Sequence, residues 1–526
     1  MRGILIAVAA TALLLSACGD GDGGDSSTPT PSGQISGQPG DLQLSGSVTL
    51  YAADEGDKAA ALAAGDFNGD GAVDVLLGAA FADGPNNSRE DAGEVLFFAG
   101  PIEPGEVRDA AAGDHDAIVY GADAGDQAGR ALFAADVNGD GIDDMILGAP
   151  FGDGPDNNRT DAGEALVVFG NRALGDSINA IDLGDGANFT LYGPQAGALT
   201  GFGLAAGNLN DDAFADLVVS SFLADGPTAT ATGSVHVVFG SADEQGSLDT
   251  ATTAADATVF GPAEDGWLGE NLSVGDVNGD GLDDLVLPAT FAPTFSGEDA
   301  GGRVSILLSP VEPIVDLSSS LADYVVYGAD SGDQLGHSNA TGDIDGDGLD
   351  DVLLGAVSSD GSENSFDLAG ETAVVLGGSL RQEIDVSLDA QNSIIYGTSE
   401  VDRLGRSVAV GDVDGDGFAD LILGAPGGDS AATRIADAGV LYVISGSDNI
   451  SPAFDLAVDA RAFFGNDPVD QLTNSVNGRP ALTTFDLNAD GRDEILVSSS
   501  GGDGPANDRS GAGEALILFV APSQTP

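Results

Sequence analysis

Cysteine occurs once in the 526 residues, at Cys18, and lysine once, at Lys58. A single thiol excludes an intrachain disulfide and a thiolate metal site, so stability has to come from packing and bound ions. Basic residues are scarce as well: 16 Lys and Arg stand against 86 Asp and Glu, a formal net charge of −70. Such a surface repels phosphate, which argues against nucleic-acid and nucleotide partners and against anionic lipid headgroups. The three histidines, His115, His236 and His337, are scattered along the chain and are expected on surface turns or strands. The lone tryptophan, Trp267, is expected to pack at a strand edge. No Gly-x-Ser-x-Gly elbow, His-Glu-x-x-His pair or phosphate-cradling glycine loop occurs. Helical periodicity is missing beyond residue 45.

What the chain does have is acid, glycine and short apolar runs. The acids are interleaved with strand-like segments, which disfavours disorder and leaves cation sites or a saline habitat as their explanation. At the N-terminus, Arg2 precedes an apolar run, Ile4 to Leu15, too short for a comfortable membrane span. Leu15-Ser16-Ala17-Cys18 follows. It resembles a bacterial lipobox, which implies cleavage before Cys18, lipid on that cysteine, and an extracytoplasmic, membrane-anchored location in the cell envelope. The expected organisation is a signal peptide over 1–18, a flexible Gly/Ser/Pro/Asp-rich tether over 19–45, one folded body over 46–521 and a short tail over 522–526.

One segment recurs seven times within that body. It begins at Asp66, Asp136, Asn208, Asp276, Asp343, Asp412 and Asp486, with spacings of 70, 72, 68, 67, 69 and 74 residues. Each unit carries four strand-like pieces bounded by turn formers. In the second unit they are Arg130 to Val137, Asp144 to Gly148, Gly163 to Gly170 and Phe189 to Gly193. Four short antiparallel strands repeated seven times predict an all-β fold, a seven-bladed β-propeller. The last unit ends after its third strand, Gly513 to Val520, whereas a fourth-strand segment, about Gly46 to Ala52, precedes the first loop. That N-terminal strand is therefore expected to complete the last blade and close the ring, leaving no open edge.

The recurring nine-residue loop has acid or amide residues at positions 1, 3, 5 and 9 and usually Gly at 6. Oxygen-only ligands on a tight loop suit calcium, which takes six to eight of them. Five copies are complete: Asp66, Asn68, Asp70, Asp74; Asp136, Asn138, Asp140, Asp144; Asp276, Asn278, Asp280, Asp284; Asp343, Asp345, Asp347, Asp351; and Asp412, Asp414, Asp416, Asp420. The seventh, Asp486, Asn488, Asp490 and Glu494, keeps the pattern with Glu at its end. The third, Asn208, Asn210, Asp212 and Asp216, has a neutral first residue and Ala213 for Gly, and is expected to bind calcium weakly or not at all. The expectation is five or six sites with dissociation constants of roughly 10⁻⁴–10⁻³ M. An EF-hand is excluded because position 12 is an apolar strand residue at Leu77, Leu147, Leu287 and Leu354.

These features together resemble FG-GAP repeats, which build the integrin α propeller. Gly-Ala-Pro stands at 148–150 and 424–426, is softened at Gly78-Ala79-Ala80 and Gly355-Ala356-Val357, and gives way to Ser220-Ser221-Phe222. A Gly lies seven residues before the loop at Gly129, Gly201, Gly269, Gly336 and Gly405. The resemblance implies a calcium-binding propeller whose partner, a protein or a glycan, meets the face opposite the calcium loops. That face would carry Asp83 to Asp91, Asp153 to Asp161, Asp360 to Asp367 and Asp503 to Arg509, with Asn86, Asn87, Arg89, Asn157, Asn158, Arg159 and Arg509. Binding is the expected role. The alternatives are a polysaccharide-active lyase or glycosidase on the same scaffold, and a structural lipoprotein of the envelope.

Overall fold

The computed structural model describes residues 36–37 and 43–521, apart from 243–245, 389–390, 430–437, 465–470, 475–480 and 506–507. The expected signal peptide with Cys18, most of the tether and the tail lie outside the described residues. Within them the chain folds into seven β-sheets. Blade 1 consists of Ala61–Gly65, Asp74–Ala79, Glu94–Phe98 and Ala117–Tyr120, paired antiparallel in that order. Blade 2 follows with Ala131–Ala135, Asp144–Ala149, Glu164–Val168 and Phe189–Tyr192. These match the expected pieces to within two residues at each end. The inner strand of each blade touches that of the next, and Ala61–Gly65 touches Leu482–Phe485, so the ring is closed.

Closure happens as the missing fourth strand requires. Gln43–Tyr51 pairs antiparallel with Glu514–Ala521 at the edge of blade 7. Each blade also has a fifth strand, which sequence reading did not foresee. In blade 1 it is Ala180–Asp182, which belongs to the repeat of blade 2 and runs parallel to Ala117–Tyr120. It was illegible because it is three residues long and half exposed, with no alternation to read. On blade 6 this place is filled from the N-terminal side, where Ser36–Gly37 pairs with Phe463 and Phe464.

The second strand of each blade is buried along its whole length, because both of its faces pack against neighbouring blades. Val75 and Leu77 join Leu50, Leu496 and Ile517 of blade 7 in one apolar cluster. Leu76 points the other way, toward Met145, Leu147 and Leu166 of blade 2. The recurrent glycines follow from this tight stacking. A Cβ on Gly78 would lie 2.2 Å from the carbonyl oxygen of Gly129 in the next blade, and Gly129 itself has φ +78°. Gly148 meets Gly201 in the same way, at 2.0 Å. Gly-Ala-Pro and the glycine before the calcium-type loop are thus two halves of one backbone contact between blades.

Leu50 is fully buried at the junction of blades 7 and 1. Leu50→Ala is expected to cost about 2–5 kcal/mol in urea unfolding. Deleting residues 43–51 should uncover the edge of Glu514–Ala521 and give aggregates in light scattering. A shortened chain that stays monomeric with an unchanged melting temperature would contradict the closure.

Candidate metal centres

Each nine-residue loop connects an inner strand to a second strand, and its ninth residue opens the second strand. That residue is a carboxylate sealed from solvent: Asp74, Asp144, Asp216, Asp284, Asp351 and Asp420 are 0% exposed and Glu494 is 3% exposed. One Asp74 oxygen accepts the Phe67 N–H at 3.0 Å, and the other accepts the Gly100 N–H beyond the third strand at 2.8 Å. Asp351 repeats this with Ile344 and Gly377, both at 2.8 Å, and Asp420 with Val413 at 2.9 Å and Gly446 at 3.0 Å. Position 9 therefore fastens the loop to the third strand as well as facing into it. Burial is the main cause that pushes Asp74, Asp144, Asp284 and Asp351 up to about 7 and Asp420 to about 8, against the pull of these N–H donors.

Positions 1 and 5 shape the loop. Asp136 accepts N–H groups from Gly139, Asp140 and Gly141 at 2.7, 3.1 and 2.8 Å. Asp66, Asp276, Asp412 and Asp486 do likewise within their own loops. Asp70, Asp140, Asp280, Asp347, Asp416 and Asp490 each accept the N–H two residues on, and all six are exposed. Loop 3 has Asn208 in first place: Asn208 accepts from Asp211, Asp212 from Phe214, and Asp216 from Leu209 and Gly240. Among the described residues no N–H from positions 5 or 6 of loop 3 reaches Asn208, so loop 3 keeps only part of the bonding that a first carboxylate supports.

Position 3 divides the loops into two kinds. Asn68, Asn138, Asn278 and Asn488 donate from Nδ2 to the position-9 carboxylate, at 3.4, 3.0, 3.1 and 2.8 Å. Asp345 and Asp414 have no such donor. There the carboxylates of Asp343, Asp345 and Asp351, and those of Asp412, Asp414 and Asp420, bring one oxygen each to within 4.8 Å of one another. Asp343 Oδ1 and Asp414 Oδ1 are buried and accept no hydrogen bond among the described residues. A buried carboxylate oxygen without a donor is costly, and three converging carboxylates repel one another. A hard cation with oxygen ligands answers both, so the residues present fit calcium, most closely in loops 5 and 6.

The residue before position 9 is one whose role sequence reading missed. Asp143 accepts the N–H of Asp66 in the preceding loop at 2.8 Å, while its own N–H donates to the Asp66 carbonyl at 3.1 Å. Asp283 locks onto Asn208, Asp350 onto Asp276 and Asp493 onto Asp412 in the same reciprocal way. The visible signal was the acidic doublet at 143–144, 283–284, 350–351 and 493–494. It reads as two ligands, but its first member couples blades.

The arginines, amides and histidines depart from expectation, whereas Trp267 packs as expected. Arg89, expected to face a partner, forms a two-point ion pair with Asp182 on the fifth strand of its own blade at 2.7 and 2.6 Å and donates to the Gly121 carbonyl at 2.6 Å. Its guanidinium holds Asp182 below the usual carboxylate range. Arg159 pairs with Asp249, and Arg509 with Asp109, so these arginines fasten loops to the outermost strand of their own blade, which the next repeat contributes. Asn87 and Asn157 donate to Asp54 and Asp123. His236 and His337 are buried rather than on the surface, at 4% and 6% exposure, because their strands pack on both faces. Trp267 stacks between Phe222 and Phe291, with centroids 6.0 and 4.3 Å away, as a packing residue.

Four segments, 59–98, 128–168, 268–307 and 404–444, are FG-GAP repeats, each running from an inner strand to a third strand. The chain is 32% identical over 212 residues to phosphatidylinositol-glycan-specific phospholipase D of Bos taurus, covering 40% of this chain and 24% of that protein. It is 32% identical over 189 residues to integrin alpha-PS2 of Drosophila melanogaster, covering 35% of this chain and 12% of that one. The shared region is a quarter or less of each of these two relatives. A solved exotype rhamnogalacturonan lyase is 12% identical over 89% of this chain and 72% of its own, with a TM-score of 0.41, a likeness too loose to bear on function.

Asp143→Ala should leave the Asp66 N–H without its partner and cost about 1–3 kcal/mol. Val73 holds the equivalent place in loop 1 and makes no such bond among the described residues, so Val73→Ala should cost less than Asp143→Ala in the same urea titration. Equal losses would remove the coupling role.

Proposed function

We propose that this chain is a calcium-loaded FG-GAP propeller that acts as a binding module for a protein or glycan partner, held at a cell envelope by lipid on Cys18. The observation that carries the calcium reading is the pair of convergent carboxylate sets, each with a buried oxygen that has no donor: Asp343 Oδ1 and Asp414 Oδ1. Asp343, Asp345 and Asp351, and Asp412, Asp414 and Asp420, would hold the ion there. In the loops with Asn at position 3 the side-chain oxygens of positions 1, 3, 5 and 9 would take part, with some hydrogen bonds exchanged for metal contacts. Bound calcium supplies positive charge inside the hairpin and so stabilises the compact ring. Loop 3 lacks the first carboxylate and would stay weak or empty.

Similarity to integrin α proteins supports a role in recognition. The rings of loops at the two ends of the blades divide the work in this reading. One end is spent on calcium, and the other, with its 2–3 and 4–1 loops, is left to meet a partner. Since Arg89, Arg159 and Arg509 are engaged with the outermost strands of their own blades, the partner-facing chemistry would come from the exposed acids and amides around them. The relatives named as phospholipases share a quarter or less of their length with this chain, and hydrolysis is not part of this proposal.

Calcium at a hundredfold over its dissociation constant is expected to stabilise each occupied loop by about 2.7 kcal/mol. Scanning calorimetry should therefore show a higher melting temperature in 10 mM calcium than in chelator. Asp343→Asn and Asp414→Asn should each weaken calcium binding at its own loop by about tenfold or more, whereas Asn208→Ala should leave the calcium response unchanged. A melting temperature indifferent to chelator would overturn the calcium reading. An array of glycans and envelope proteins, probed with and without calcium, tests the recognition role, and turnover of a polysaccharide in that screen would replace it with the enzymatic one.

A further inference from the structure

The outermost strands carry a repeated aspartate. Asp109, Asp182, Asp249, Asp316 and Asp385 each stand opposite the aromatic residue that ends the fourth strand, paired in turn with Tyr51, Tyr120, Tyr192, Phe260 and Tyr327. Asp455 continues the same register in blade 5, where Phe454 pairs with Ile395. In all six, Oδ1 accepts the N–H two residues on, at 2.9 to 3.1 Å. That bond needs no charge, because asparagine or serine makes the same turn. An aspartate at all six places therefore asks for a second reason.

In blades 7, 1 and 2 that reason is a guanidinium. Arg89 gives Nη1 and Nη2 to the two oxygens of Asp182, and Nη1 also to the Gly121 carbonyl just beyond the fourth strand. Arg159 repeats this on Asp249 and the Gly193 carbonyl, and Arg509 meets Asp109 and the Ala52 carbonyl. Each arginine lies five residues before its third strand. In blades 3, 4 and 5 that place is held by Ala229, Glu298 and Phe366. The backbone of Phe366 is fixed as that of Arg89 is: its N–H donates to the Asp360 carbonyl and its carbonyl accepts from Ala369, matching Asp83 and Ala92. The arginine is gone, yet the rest of the socket remains. Among the described residues, Oδ2 of Asp316, Asp385 and Asp455 has no hydrogen-bond partner, and the carbonyls of Gly261, Gly328 and Gly397 accept no hydrogen bond. Apolar side chains stand open beside these sockets: Phe366 is 40% exposed, Val401, which donates its N–H to the Asp367 carbonyl, 44%, and Phe295 of the blade 4 loop 56%.

We propose that Asp316 with the Gly261 carbonyl, Asp385 with that of Gly328 and Asp455 with that of Gly397 are sockets for the arginine side chains of a protein partner. The partner would supply in trans the guanidinium that Arg89, Arg159 and Arg509 supply in cis. This deepens the recognition reading above and rests on it, narrowing the partner to an arginine-bearing protein surface. A net charge of −70 draws such a surface in. The carboxylate and carbonyl together select arginine over lysine, because a planar guanidinium forks onto both whereas an ammonium is a point charge. Phe366 and Phe295 would add ring faces, on which a guanidinium also stacks, beside the sockets of blades 5 and 4.

Isothermal titration calorimetry of the full chain with an octa-arginine and an octa-lysine peptide tests this, at about 0.15 M salt to screen the overall charge. Octa-arginine should bind about tenfold or more tightly than octa-lysine. Asp316→Asn/Asp385→Asn/Asp455→Asn keeps the Oδ1 turn bonds and should erase that preference. Glu55→Gln/Glu103→Gln/Asp156→Asn makes the same change of charge at exposed positions outside blades 3 to 5 and should retain it. Phe366→Arg should rebuild the clamp on Asp455, raising the melting temperature and weakening octa-arginine binding. Should the triple variant fail to fold, its three single substitutions and Phe366→Arg decide, each of which should lower the preference. Equal affinity of the wild type for the two peptides overturns the proposal, as does a preference that survives these substitutions in folded protein. A protein from the array that binds the folded triple variant as tightly as the wild type also overturns it, while leaving the recognition role standing.

Discussion

A carboxylate sealed inside a β-hairpin is the element on which the remaining structure turns. Six of the seven position-9 carboxylates receive an N–H from the second residue of the loop, and in six blades an N–H from beyond the third strand is present. That arrangement fixes the loop, the first two strands and the third strand relative to one another. Its electrostatic cost is high, because burial penalises the charged form and the neighbouring acids repel it. The loops with Asn in third place offset part of this cost with an amide donor. Loops 5 and 6 do not, and leave oxygens unsatisfied at the centre.

Successive repeats are held to one another by equally regular devices at both ends. At the loop end, Asp143, Asp283, Asp350 and Asp493 exchange hydrogen bonds with the loop of the preceding blade. At the other end, Arg89, Arg159 and Arg509 reach carboxylates on the fifth strand contributed by the next repeat. Between the two ends lie glycine contacts such as Gly78 on Gly129 and apolar layers such as Leu76 on Leu147. A cation held in one loop is therefore coupled to the adjacent blade through the reciprocal bond at its first residue. Occupancy in several loops is expected to stiffen the ring as a whole.

Much of this was legible from the residues. The seven loops, the blade count, the second and third strands and the closing role of the N-terminal strand all follow from period, alternation and turn chemistry. Those signals are local, and repetition multiplies them. What escaped was contact between repeats. The fifth strand at Ala180–Asp182 is too short to carry a period, the first Asp of each doublet looks like a ligand, and Arg89 looks like a free surface cation. His236 was misplaced because a residue on a strand packed on both faces is buried whichever way it points. In each case the deciding fact is which neighbour lies across the blade interface, which no single repeat records.

Hydrogen exchange followed by mass spectrometry, with the protein first in saturating calcium and then in chelator, tests the central claim most directly. The account predicts that chelation speeds exchange at the Ile344 and Val413 amides and throughout loops 343–351 and 412–420, with smaller changes in the Asn-containing loops and none in 208–216. Exchange that is the same in both conditions across every loop, or that changes most in 208–216, would contradict it.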